Sequence, residues 1–147
     1  MLGTRGFVAT LVLLGALAIG GTATAAPPQA VTLSVFTDFN RSSDPFTSTG
    51  GIVCASGTVS TPFALFVGGQ STTHAQLLVG KHFVCSAGTF DVLLRVTLRF
   101  DTGGTAGTWS VAHGTGAYAA LHGTGKIIGT AGGGGIQDEY TGAMHID

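Results

Sequence analysis

An all-β fold, an antiparallel meander closing into a small barrel of about eight strands, is what this sequence predicts. Three observations lead there. Thr89 to Asp101 alternates with a period of two: Phe90, Val92, Leu94, Val96, Leu98 and Phe100 fall on one face, and Asp91, Arg95, Thr97 and Arg99 on the other, with Leu93 the exception. A helix would spread those apolar residues around its circumference and set the arginines among them. The composition agrees, because 25 glycines and nine phenylalanines accompany almost no helix-favouring Glu or Lys. Glycine-rich turns at Asp101–Gly104 and Gly132–Gly135 then join neighbouring alternating stretches as hairpins. Closing the sheet into a barrel removes the edges it would otherwise expose.

The elements follow in order. Residues 1–25 read as a secretory signal peptide, with Arg5 as the positive start, an uncharged run from Phe7 to Ile19, and Ala23-Thr24-Ala25 as the small-residue cleavage site. That run is shorter than the roughly 20 residues of a membrane span, and no cysteine stands at the cleavage point to take a lipid. A secreted, extracellular protein without a stable membrane anchor is expected, its single barrel domain covering 26–147 after a flexible lead through Pro27-Pro28. Val31 to Phe39 forms the first strand, Asn40 to Gly51 a loop, and Ile52 to Ser60 a strand ending before Pro62. Phe63–Val67 and Leu77–Val79 are short apolar segments around the polar Gly68–His74, and Lys81–Ser86 leads into a turn at Ala87-Gly88. Thr105–Ala112 returns from the long strand with Trp109 and Val111 inward. Gly123–Thr130 and Ile136–Ile146 complete the set.

Cys54 and Cys85 are the only cysteines, and in an oxidising compartment they are expected to pair and join two strands. Closing a loop of this length stabilises a fold by about 3–4 kcal/mol in the loop-entropy model. The alternative, a reactive thiol, lacks an activating partner, since His82 falls on the opposite strand face from Cys85.

Charge and motifs exclude several functions. The formal charge of −1 becomes −2 once Arg5 leaves with the leader, and the remaining basic residues are scattered, so no nucleic-acid partner is expected. The glycine run Gly132–Gly135 lacks the basic residue and helix start of a phosphate cradle. No Gly-x-Ser-x-Gly elbow is present. His74, His82, His113, His122 and His145 show no spacing that sets two imidazoles on one face, so no metal or other cofactor is expected. His113 and His122 bracket one hairpin and could approach each other. Asp91 can offset Arg95 and Arg99 on a solvated face.

Asp138 and Glu139 are adjacent in a strand and point to opposite faces, so they cannot work as paired carboxylates. Asp138 and Tyr140 instead share a face with Ile136, Met144 and Ile146. If that face is the interior, a carboxylate beside a phenol is a polar anchor for a ligand. With Trp109 inward and Tyr118 at the barrel end, the candidate ligand contacts are Asp138, Tyr140, Trp109 and Tyr118.

The stretch Gly107-Thr108-Trp109-Ser110-Val111-Ala112-His113-Gly114-Thr115-Gly116-Ala117-Tyr118-Ala119-Ala120-Leu121-His122-Gly123-Thr124-Gly125 resembles a hairpin of the allene oxide cyclase and dirigent-like barrel superfamily. Gly114 and Gly116 would permit positive φ where the strand breaks, Tyr118 and Leu121 would plug the barrel end, and Gly123 and Gly125 would admit close packing. The Phe100–Gly103 turn, the cysteine pair and Tyr140-Thr141-Gly142 resemble secreted bacterial proteins of this kind. The resemblance spans Ile52 to Ile146 and implies the barrel; no catalytic residue carries over.

The leading functional expectation is a secreted barrel binding a small apolar or aromatic molecule. The alternatives are a cofactor-free cyclase- or dirigent-like enzyme that steers a reactive conjugated substrate, and a structural or interaction protein with a filled barrel. A homo-oligomer is compatible with each.

Overall fold

The computed structural model describes residues 26–147; the signal-peptide reading lies outside them. Eight antiparallel strands, β1 (Gln29–Asp38), β2 (Asp44–Thr49), β3 (Ser56–Gly68), β4 (His74–Cys85), β5 (Gly88–Arg99), β6 (Thr105–Gly114), β7 (Leu121–Gly132) and β8 (Gly135–Ile146), form a closed barrel in sequence order. The barrel closes where β1 pairs with β8 along its whole length, from Gln29 opposite Met144 to Asp38 opposite Gly135. No helix among the described residues is long and apolar enough to cross a membrane.

The meander gives the barrel two different ends. One carries the β2–β3 and β4–β5 connections and a single 3-10 turn, Gly116–Tyr118, between β6 and β7. This end is closed. Phe83 stacks on Phe90 at 4.8 Å, Phe46 meets Phe83 edge-on at 5.0 Å, and Tyr118 meets Phe90 at 5.6 Å. Such pairs add about 0.5–1.5 kcal/mol each beyond the area they bury. Tyr118 Oη accepts a hydrogen bond from the Cys54 amide at 3.1 Å, tying the 3-10 turn to the β2–β3 loop, and the Cys54–Cys85 disulfide ties that loop to the end of β4. Trp109 donates from Nε1 to the carbonyls of Lys126 and Thr141. Its indole fits because a Cβ on Gly125 or Gly142 would collide with it.

Several expectations need correction. The Asn40–Gly51 segment is not all loop: Asp44–Thr49 is a strand whose Asp44 and Phe46 point inward. β3 does not stop at Pro62 but continues to Gly68, with Pro62 inside a register shift between Ser60 and Phe63 where its missing amide is tolerated. Leu77–Val79 and Lys81–Cys85 belong to one strand, β4, with Gly80 lying under the Phe63 ring. Cys54 sits in a loop, so the disulfide joins a loop to a strand end. On β5, Phe90, Val92, Leu94 and Val96 are buried as expected, but Leu98 is half-buried and Phe100 has left the strand for an exposed turn. Val111 is half-buried beside the buried Trp109. Gly116 has φ +59°, but Gly114 does not adopt positive φ; it is small because a Cβ there would strike the Tyr118 carbonyl.

Candidate functional site

The opposite end carries the β1–β2, β3–β4, β5–β6 and β7–β8 connections, and here the interior is hollow. A cavity of about 700 Å³ opens at this mouth. Its walls are the inward residues of the strand halves nearest the mouth: Leu77 and Val79 of β4, Leu94, Val96 and Leu98 of β5, Ile127 and Ala131 of β7, and Ile136 of β8. One side is built differently. β2 meets β3 only from Asp44 opposite Val59 to Thr47 opposite Ser56, so the rest of β3 pairs with β4 alone. The β1–β2 loop, through Phe39, Arg41 and Ser42, supplies the wall there.

A polar layer marks the boundary between the cavity and the packed half. On β4 the inward sequence runs Leu77, Val79, Lys81, Phe83; on β8 it runs Ile136, Asp138, Tyr140; on β1 it runs Val35, Thr37. Period two therefore sets Lys81, Asp138 and Thr37 just above the aromatic cluster. Lys81 and Asp138 are each 5% exposed. Lys81 Nζ donates to Thr37 Oγ1 at 2.8 Å and to Thr61 Oγ1 at 2.9 Å. Asp44, also 5% exposed, lines the cavity nearer the rim, where it accepts from the Asp38 amide and faces Arg41 Nε at 3.8 Å.

Burial governs the protonation of this layer. It lowers the Lys81 pKa below the ordinary lysine value, against the pull of the Asp138 and then the Asp44 carboxylates. It pushes Asp138 up to about 6, against the Lys81 ammonium and the Thr37 side chain, which favour the ionised form. Both shifts have the same cause, loss of water around a charge. Tyr140 is held well above the usual phenol value by burial and by Asp138, and its hydroxyl has no hydrogen-bond partner among the described residues.

Of the four candidate contacts, Asp138 alone lines the cavity. Tyr140 is inside the barrel but fully buried below the polar layer, Trp109 is committed to the backbone of β7 and β8, and Tyr118 plugs the closed end. The sequence signal for Lys81 is masked by Gly80, which interrupts the apolar run, although Ala75, Leu77, Val79, Lys81, Phe83 and Cys85 alternate on one face. Thr37 and Thr61 carry no such signal, since threonine is ordinary on either face of a strand.

Among the described residues, no cluster of three or more ligating side chains suits a metal ion. His113 and His122 do not meet: His122 stacks on His145 at 5.3 Å, and His113 Nδ1 lies 3.9 Å from Asp91. Asp91 bonds His82 at 2.6 Å, while Arg99 pairs with Asp101, so the expected offset of the two arginines by Asp91 is replaced by these pairs. Comparison with protein-family models, with curated proteins and with solved structures found no match to this chain, so the likeness to allene oxide cyclase and dirigent barrels gains no support from them.

Proposed function

We propose that this protein is a secreted small-molecule-binding barrel whose ligand enters through the mouth, lays an apolar body against the aliphatic walls, and sets one polar group on the Lys81–Thr37–Asp138 layer. One observation carries this reading: an apolar-walled cavity of about 700 Å³ ends on a buried polar layer that offers both donors and acceptors. Its size falls within the roughly 300–1,000 Å³ of small-molecule sites, which share that design. The Cys54–Cys85 disulfide supports an oxidising compartment. The charge count selects among ligands. One ammonium faces two buried carboxylates, Asp138 and Asp44, with Arg41 at the rim, so no positive charge is left over for an acid. An uncharged ligand with a hydroxyl or carbonyl fits best.

The test is a fluorescence titration with N-phenylnaphthylamine, a neutral apolar probe, followed by displacement. One probe should bind per chain, and Val96→Phe, which extends a ring into the cavity, should weaken it about tenfold or more, equivalent to about 1.4 kcal/mol. A long-chain alcohol should displace the probe at lower concentration than the fatty acid of equal length at neutral pH. Asp138→Asn should shrink that preference. Unchanged probe affinity in Val96→Phe would place the probe elsewhere and defeat the reading.

A second reading, a cofactor-free isomerase or cyclase, draws on one observation: a carboxyl group with a pKa of about 6 in an apolar cavity is suited to proton transfer near neutral pH. Turnover of a conjugated oxygenated substrate, lost in Asp138→Asn while probe binding survives, is the result it requires.

A further inference from the structure

The exposed apolar side chains of the described residues are distributed unevenly. Phe36, Phe39, Phe63, Leu65, Phe66, Val67, Phe100 and Ile128 all lie in the half of the barrel nearest the mouth, whereas Val84 alone lies towards the closed end. The most exposed aromatic residues stand on the mouth itself: Phe39 at 67% in the β1–β2 loop, Phe66 at 61% near the end of β3, and Phe100 at 45% in the β5–β6 turn. Leu65 and Val67, each 53% exposed, extend the lip beside Phe66. Three of the four connections or strand ends around the opening thus present an aromatic ring to solvent. Scattered exposed hydrophobes need no explanation, but a ring of them around one opening does.

Most ions at the rim itself are held by neighbours. Arg41 faces Asp44, Arg99 bonds Asp101 through both Nε and Nη2, and Asp38 is held in the β1–β2 turn by the Asn40 amides. Arg95, exposed on the outer face of β5 in the same half, has no ion partner among the described residues; counting it, three arginines stand against Asp38, Asp44, Asp101 and Glu139, so no surplus positive charge is left to attract an anionic surface. From Ser56 to Thr73, which includes the lip, there is no charged residue. An apolar, aromatic rim without net positive charge matches the interface of an uncharged bilayer, where aromatic rings settle at headgroup level.

We propose that the mouth docks on a neutral, phosphatidylcholine-type bilayer, with Phe39, Phe66 and Phe100 inserted into the interface and the barrel axis turned towards the membrane. The docked orientation sets the cavity opening against the lipid, a direct path for an apolar molecule that is scarce in water. The docking rests on the rim and stands independently of what the cavity holds.

Residues 26–147 carry every strand of the closed barrel, so that chain is used, free of the Phe7–Ile19 run that would bind lipid by itself. It is floated with phosphatidylcholine vesicles in a density gradient. The expected result is co-flotation that persists when salt is raised from about 0.1 to 1 M, because screening weakens only electrostatic attraction. Phe39→Ser/Phe66→Ser/Phe100→Ser should reduce the bound fraction about tenfold or more, and Val84→Ser should leave it unchanged. Unfolding midpoints check the fold of each variant, and Leu65→Ser/Val67→Ser provides a second, milder test of the same rim. Absence of flotation would overturn the proposal, as would flotation that the rim variants do not alter or that requires anionic lipid. A concentration-dependent dimer in water that the rim variants dissolve, with no vesicle binding, would assign the surface to a second copy of this chain instead.

Discussion

The two ends of the barrel are made by the same strands with the same alternation, yet one is solid and the other hollow. The difference lies in side-chain volume. Towards the closed end the inward positions hold Phe46, Phe83, Phe90, Trp109 and Tyr140, all essentially inaccessible to solvent. Towards the mouth they hold Thr37, Ala64, Leu77, Val79, Val96 and Ala131. An eight-stranded barrel is just wide enough for side chains to fill. Large aromatic residues fill it; aliphatic and hydroxyl residues leave space. Packing is therefore concentrated at one end and open space at the other, with the Lys81–Asp138 layer as the boundary.

Like-for-like truncation breaks or sharpens this contrast most strongly. Leu33→Ala, in the packed half, should cost about 2–5 kcal/mol, whereas Leu98→Ala, on the cavity wall near the mouth, should cost about 1 kcal/mol or less. Chemical denaturation of both variants checks this, and equal losses would mean that the mouth is packed like the closed end. Next in size is the disulfide, which spans a sequence separation of 31. Cys54→Ser/Cys85→Ser should lower stability by about 3–4 kcal/mol and leave probe affinity unchanged, because the bond lies at the end away from the cavity.

The boundary layer gives a pH signature. Asp138 has a folded pKa of about 6 against an ordinary value of 3.8, so between those values the native state holds more proton than the unfolded state. Its contribution to stability is then highest below about pH 4 and falls as pH rises through 6, by up to roughly 3 kcal/mol. Lys81, with a pKa lowered by burial, acts in the opposite sense, over the range between its folded pKa and its ordinary value of 10.5. The stability of Asp138→Asn minus that of the wild type should accordingly grow with pH across the acidic window. A constant difference would place Asp138 in water. Lys81→Met should move the Asp138 pKa above 6, as followed by carboxyl carbon NMR.

The smallest expected effect belongs to Tyr140. Its buried hydroxyl lacks a partner among the described residues, and an unmet buried polar group is a stability burden of about 1–3 kcal/mol. Tyr140→Phe should be neutral or up to about 1 kcal/mol more stable. A clear loss in a thermal melt would show that the hydroxyl is satisfied in solution.

The barrel was legible in the sequence because β5 announces it: Phe90 to Leu98 alternates without interruption, and the glycine turns fix antiparallel neighbours. β2 was not legible, since Pro45 and the Ser/Thr residues around Phe46 look like loop chemistry, and only pairing with β1 and β3 makes Asp44–Thr49 a strand. Asp138 could be found because it interrupts an apolar face. Lys81 interrupts another, but Gly80 and His82 break the apolar run on either side of it, and the face is continuous only because His74–Cys85 is one strand. Trp109 is inward and Tyr118 plugs the barrel end as the sequence suggests, and Tyr140, whose face the sequence leaves open, is inside as well, yet none of the three lines the cavity: alternation says which way a residue points and nothing about how far along the barrel the packing stops. That depends on the sum of eight strands' volumes.

The most direct test of the hollow mouth-end site is methyl NMR during titration with N-phenylnaphthylamine. Saturable shifts are expected at Leu77, Val79, Leu94, Val96, Ile127 and Ile136, with Val31, Leu33 and Leu121 at the closed end unmoved. Shifts confined to the closed end or the outer face, or no shifts at saturating probe, would contradict the account.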